Sequence, residues 1–382
     1  MNKNMRGLTY AILSMSLLTV MAGAAMAPAL GAIKEHFSDC NAMTVQLIVS
    51  LPALFIILTT FAFRPLCRRM RTRTMALTGL SLYVVAGAGA YLADGIVWIL
   101  ILRALLGVSV GMIMPLSTGL LSYYFPPEKQ SRLMGLSAAM NQMGGVVATL
   151  LAGVLATVSW RCAFLVYLAG LVAVGLVAWK LPNERLASKG SRLDVRTLLR
   201  FHPSVTAMFL IMLLFFVYPT NFALTSQASG VAPLAITLIM VGLDVVAFFV
   251  GLIFGWLMHC MRRQMKYAAP LFFLAGYAVL SFMDGMGGMI VGSILIGLAN
   301  GAGVPYVNTI ASIKGGRDAA ITVMPLISAA LYLGQFLSPL IISPLANIIG
   351  GIRSPYMVAT GFAIIFLIQV FLTRRHHALP PA

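Results

Sequence analysis

Apolar residues run in blocks of about 20 from one end of the chain to the other, with short polar turns between them. About 20 predominantly apolar residues is the length an α-helix needs to cross a bilayer. Twelve such blocks can be read: 8–32, 42–63, 74–93, 96–122, 133–157 and 161–180, then 204–222, 231–258, 267–283, 286–312, 319–346 and 354–373. The turns are short, as neighbouring antiparallel helices require. The exception is 181–203, where Arg185, Lys189, Arg192, Arg196 and Arg200 alternate loosely with Leu193, Val195, Leu198, Leu199 and Phe201. That pattern predicts a short helix lying on the membrane surface.

The pattern repeats at half the chain length. A shift of 190 carries Asp94 onto Asp284, Gly95 onto Gly285, Leu105 onto Leu295, Gly107 onto Gly297, Gly111 onto Gly301, Pro115 onto Pro305 and Ser122 onto Ser312. Seven identities in 29 positions, without a gap, exceed the two or three that so biased a composition gives by chance, roughly. Positions 103, 107, 111 and 115 lie four apart and form one stripe on a helix. Glycines on that stripe let a neighbouring backbone approach closely, and Pro115 and Pro305 let these helices bend. The reading is two similar six-helix bundles, 1–180 and 204–382, joined by a basic linker, 181–203. The fold class is all-α and polytopic.

Composition agrees. Only 9% of the residues are charged, against about 25% in soluble domains. The formal charge of +17 does not mark a nucleic-acid binder, because no basic stretch is interleaved with exposed aromatics. It marks orientation. With the N-terminus in the cytoplasm, 22 of the 26 Lys and Arg residues fall on cytoplasmic segments. Lys34, Arg161 and Arg353 fall on the other side, and Arg103 falls inside the membrane. This bias places both termini in the cytoplasm. Lys3 and Arg6 ahead of an apolar run, with Ala25-Met26-Ala27 after it, resemble a signal peptide, but the run is too long and is read as the first span.

Enzyme chemistry is not encoded. No Gly-Lys-Ser phosphate loop appears, and His36, His202, His259, His376 and His377 all lie in loops or near span ends. Cys40, Cys67, Cys162 and Cys260 form no metal-ligand spacing. Neither a cofactor nor a metal is expected, and the expected state is a monomer in lipid.

An ionisable residue inside a bilayer is costly and is by default a functional candidate. Two qualify. Arg103 lies about two turns below the outer end of the fourth span, and Asp244 lies near the middle of the eighth. Arg103 reads either as an anchor for an anionic or polar substrate or part of a proton path, or as an internal pair or backbone-carbonyl clamp holding its helix. Asp244 reads either as a proton carrier, its carboxyl raised by desolvation, or as a packing hydrogen bond.

The chain resembles the major facilitator superfamily of secondary transporters over essentially its whole length. Between the second and third spans RPLCRRMRTR, Arg64–Arg73, is a degenerate form of that family's loop motif, and Gly255–Lys266 is its second-half counterpart. Arg103 with Gly107 matches the fourth-helix motif of the exporter-like members. FPPEKQSRLMGL, Phe125–Leu136, and SWRCAF, Ser159–Phe164, are also similar to family segments. The exporters' Gly-Pro motif in the fifth helix is replaced by Gly144-Gly145, and the first span, MAGAAMAPAL, lacks the acid that many proton antiporters carry. In this family the first, fourth, seventh and tenth spans line a central cavity. The resemblance therefore implies that Arg103, Tyr218, Asn221, Asn300 and Tyr306 face substrate. Asn141, Gln142 and Gln335 form a second tier of polar candidates. The implied activity is alternating-access transport of a small organic molecule, with proton-coupled efflux from a bacterial-type cytoplasmic membrane leading. A passive facilitator and a non-transporting receptor are the alternatives.

Overall fold

The computed structural model describes residues 3–125, 127–184, 195–261, 264–315 and 323–373. Among them lie twelve helical segments long and apolar enough to cross a membrane, one on each block read from the sequence. The first half holds α1 (Lys3–Ala24), α2 (Leu30–His36), α3 (Ala42–Arg69), α4 (Thr72–Gly89), α5 (Ile96–Tyr124), α6 (Pro127–Val158) and α7 (Gly170–Lys180). The second half holds α8 (Val195–Ala228), α9 (Pro233–Met261), α10 (Met265–Phe282), α11 (Gly285–Gly315), α12 (Met324–Ile349) and α13 (Ser354–Leu372).

Local chemistry explains several boundaries. The first span is broken after Ala24, and a 3-10 turn at Ala27–Ala29 joins α1 to α2. Pro28 has no N–H to offer the carbonyl four residues back, so the α-helical ladder stops there. Asn41 caps α3 by accepting from the Met43 amide at 3.2 Å. Pro115 and Pro305 sit inside α5 and α11 without ending either helix, a pattern tolerated in membrane helices.

Two expectations are corrected. The predicted surface helix is not separate. Residues 185–194 lie outside the described ones, but from Val195 the chain is already in α8, which continues to Ala228. Phe201, expected at the membrane surface, is buried at 5% exposure, so its apolar ring belongs to the interior packing. The sixth span also departs from a plain α-helix and begins as a 3-10 stretch, Trp160–Ala169, with Ser159 accepting from the Arg161 amide.

The chain divides into two compact units. Unit one is Met1–Lys189 with Ala232–Thr237; unit two is Gly190–Val231 with Leu238–Ala382. Within unit one, the glycine stripe of α5 lies against the backbone of α3. A methyl at Gly107 would strike the Pro52 carbonyl oxygen, and one at Gly111 would sit 2.6 Å from Thr59 Cβ. Within unit two, the stripe of α11 lies against α9 in the same way. A methyl at Gly297 would come 2.8 Å from the Leu243 carbonyl, and one at Gly301 would come 2.7 Å from that of Ala247. The repeat in sequence is thus a repeat in packing.

It is also a repeat in ion pairing. Arg161 reaches Asp94 at 2.9 Å in unit one, and Arg353 reaches Asp284 at 2.6 Å in unit two. At the other end of unit one the start of the linker is pinned to α4. The Thr72 amide donates to the Glu184 carbonyl at 2.8 Å, and the Thr72 hydroxyl donates to the Pro182 carbonyl at 2.9 Å. Arg73 donates to the carbonyl of Ala178 near the end of α7.

Candidate functional site

Arg103 is fully buried in unit one, at 0% exposure. The fourth span places it there: the glycines one and two turns further on hold α5 tightly against α3, so its place along the helix is fixed. Its guanidinium carbon lies 5.1 Å from the ring centre of Phe164 and 4.7 Å from that of Tyr167, both on the 3-10 stretch. Such cation–π contacts are worth about 2 kcal/mol or more when desolvated. Arg103 Nη1 donates to the Tyr167 hydroxyl at 2.8 Å. That hydroxyl in turn donates to the carbonyl of Ala22 on α1 at 3.0 Å. One arginine therefore ties three spans of unit one together.

The chain of hydrogen bonds leaves atoms over. Arg103 Nε and Nη2 are buried and have no hydrogen-bond partner among the described residues, and the same holds for the hydroxyl of Tyr83. Tyr83 is buried on α4 and packs edge-on against Tyr167, ring centres 5.5 Å apart. Leaving a buried donor unpaired costs about 1–3 kcal/mol, and more when the donor is charged. Among the described side chains of unit one, no carboxylate answers the charge. The described acidic side chains of unit one are Glu35, Asp39, Asp94 and Glu184, and all four are exposed.

Of the other sequence candidates in unit one, Asn141 accepts from the Thr19 hydroxyl at 2.8 Å, linking α6 to α1. Gln142 beside it is half-buried. The glycine expected to stand for the exporters' fifth-helix motif, Gly144, lies against the Leu17 carbonyl of α1.

Unit two carries a hydroxyl network where unit one carries a charge. Ser293, which the repeat aligns with Arg103, sits 2.7 Å from the Tyr218 hydroxyl. Tyr218 stacks on Phe222 with ring centres 4.5 Å apart. Asn221 donates to the Val217 carbonyl at 2.9 Å and to the Thr220 hydroxyl at 3.0 Å. Asn300 Oδ1 is buried without a partner among the described residues. Tyr306 lines a small recess with Ile211, Phe366 and the buried Lys266. Gln335 donates weakly to the Met212 sulfur at 3.5 Å. Asp244 is half-buried along α9.

Sequence reasoning found Arg103 and missed the aromatic residues that enclose it. Phe164 and Tyr167 come from the sixth span, and no spacing connects them, or the Tyr83 that packs on Tyr167, to position 103. The one available signal was chemical: a phenol in a membrane span needs a partner for its hydroxyl.

A family model described as the Major Facilitator Superfamily matches residues 12–339. The quinolone resistance protein NorA of Staphylococcus aureus is 25% identical over 303 residues, 72% of this chain and 73% of that one. The niacin transporter NiaP of Acinetobacter baylyi is 28% identical over 120 residues, 31% of this chain and 27% of that one. Among solved structures, a bacterial homologue of the human lysosomal transporter Spinster superposes with a TM-score of 0.83 at 15% identity, covering 100% of both chains. A D-xylose–proton symporter superposes with a TM-score of 0.73 at 14% identity, covering 96% of this chain and 97% of that one.

Proposed function

The chain belongs to the Major Facilitator Superfamily, and from that premise we propose that it exports a small organic molecule by alternating access, in exchange for protons. The proposed location is a bacterial-type cytoplasmic membrane, with both termini in the cytoplasm, and the working form is a monomer. The observation that carries the substrate class is the buried guanidinium of Arg103, which lacks a carboxylate among the described side chains of its unit. Such a group favours an anionic or polar molecule over a cationic one. Asp244, on a membrane helix of unit two, is the proposed proton carrier. Export is supported by the match to a protein named for quinolone resistance.

The remaining polar candidates enter as substrate contacts, each within its own unit. Asn300, whose Oδ1 has no partner among the described residues, leads them; Asn141, Gln142, Tyr218, Asn221, Tyr306 and Gln335 follow. Gly107, Gly111, Pro115, Gly297, Gly301 and Pro305 serve the packing and bending of the two repeated helices.

A thermal-shift screen tests the reading first, because ligand bound to the folded state raises Tm by mass action. The panel includes niacin, a quinolone, and other small carboxylates and amines. Compounds that stabilise the protein are then loaded into proteoliposomes carrying an imposed pH gradient. Uphill movement driven by the gradient is the expected result. Equilibration without accumulation indicates a passive facilitator, which the acid-free first span would suit. Binding with no flux indicates a receptor and refutes transport.

A further inference from the structure

The three nitrogens of a guanidinium form two forks. One is Nη1 with Nη2; the other, the side-on fork, is Nε with Nη2, and either can hold an anion through two parallel N–H bonds. In unit one the Tyr167 hydroxyl takes Nη1. Phe164 and Tyr167 lie against the guanidinium carbon. What is left is the side-on fork, whole and unpartnered among the described residues. A second unpartnered donor, the Tyr83 hydroxyl, belongs to the ring that packs edge-on against Tyr167, centres 5.5 Å apart. The Tyr167 oxygen receives Nη1 alone, and no hydrogen bond reaches it from Nε or Nη2.

We propose that the Nε–Nη2 edge of Arg103, joined by the Tyr83 hydroxyl, is a binding site for one small monovalent anion inside unit one. The anion is a halide resident in the protein or the carboxylate of a transported molecule; both satisfy the same donors. A divalent anion is excluded, because it would carry a net negative charge into an enclosed apolar setting. The site deepens the proposed function and takes from it only that Arg103 anchors an anion. Its test involves no transport, so failure of the site and failure of transport are told apart.

The experiment is thermal unfolding of the purified full-length protein in detergent, in sodium salts at constant ionic strength: chloride, bromide, formate, acetate and, as the divalent reference, sulfate. The monovalent salts raise Tm along a saturating curve, and sulfate does not. Acetate competing with bromide for one saturable shift, with acetate the tighter, assigns the site to a carboxylate. Bromide the tighter assigns it to a resident halide. Arg103→Lys keeps the charge and removes the fork, so the half-saturating concentration rises about tenfold or more, the loss expected for a charge-assisted hydrogen bond. Tyr83→Phe weakens it severalfold and stands as the test if the lysine variant does not fold. Shifts that grow linearly with salt and are the same in the wild type and in both variants overturn the proposal.

Discussion

The hydroxyl of Tyr218 lies 2.7 Å from that of Ser293, at the point where the internal repeat puts Arg103 in the other unit. The duplicated scaffold carries a neutral pair on one side and a charge on the other. Ser293 is buried at 1% exposure and also donates to the Met289 carbonyl at 2.6 Å. Ser293→Ala strands the Tyr218 hydroxyl and is expected to cost about 1–3 kcal/mol. The double variant with Tyr218→Phe recovers part of that loss. Unfolding of the two single variants and the double variant checks this, and a purely additive cycle contradicts it.

The glycine stripes make a sharper prediction. Gly107→Ala and Gly301→Ala press a methyl into backbone, at Pro52 in one unit and Ala247 in the other. Each is expected to lower stability by about 1–3 kcal/mol, the range for overpacking. Gly175→Ala and Gly361→Ala meet nothing within 4 Å and are expected to leave Tm unchanged or slightly raised. Equal effects at all four positions count against close helix packing as the reason for the repeat.

The exposed ion pairs predict a small effect. Asp94 and Asp284 are 89% and 91% exposed at the side chain, and exposed pairs contribute about 0–1 kcal/mol. Asp94→Asn and Asp284→Asn are expected to change stability little and equally, with the difference vanishing at high salt. A large loss in either, measured in 1 M salt (on the order of a 3 Å screening length), contradicts a surface role.

The linker anchor titrates. Tyr124 donates to Glu184 at 3.2 Å. Burial first, and the Glu184 carboxylate second, push its phenol from 10.0 up to about 12. The fold favours the protonated phenol, so this contribution is present below pH 10.0 and is lost as the pH rises through about 12. In Tyr124→Phe that alkaline loss is absent. A stability curve between pH 9 and roughly 12 that is the same for both proteins refutes the contact.

Asp244→Asn separates coupling from binding. It is expected to abolish gradient-driven accumulation and to leave substrate exchange intact. Normal uphill transport by the variant removes Asp244 from the proton path.

Much of the fold was legible in the sequence because membrane helices announce themselves by length. The surface helix was misread because alternating arginines look alike in a linker and in the first turns of a long helix such as α8. The break at Pro28 follows from proline chemistry, yet an unbroken apolar block hides it. Asp94 and Arg161 were each visible, one in the repeat and one among the few basic residues assigned to the outer side. Their pairing was not deduced, although Asp284 and Arg353 stand in the same relation. Arg103 was legible because a charge within a span is costly and stands out, whether it anchors a ligand or clamps its helix. Its enclosure was not, because Phe164 and Tyr167 reach it through tertiary packing alone.

The most direct test of the account is counterflow in proteoliposomes, using the anionic compound that most raises Tm, for the wild type and for Arg103→Lys. Transient accumulation of label by the wild type, reduced about tenfold or more in the variant at equal protein, is the predicted result. Label bound but never carried across by the wild type, or carried equally well by both proteins, contradicts it.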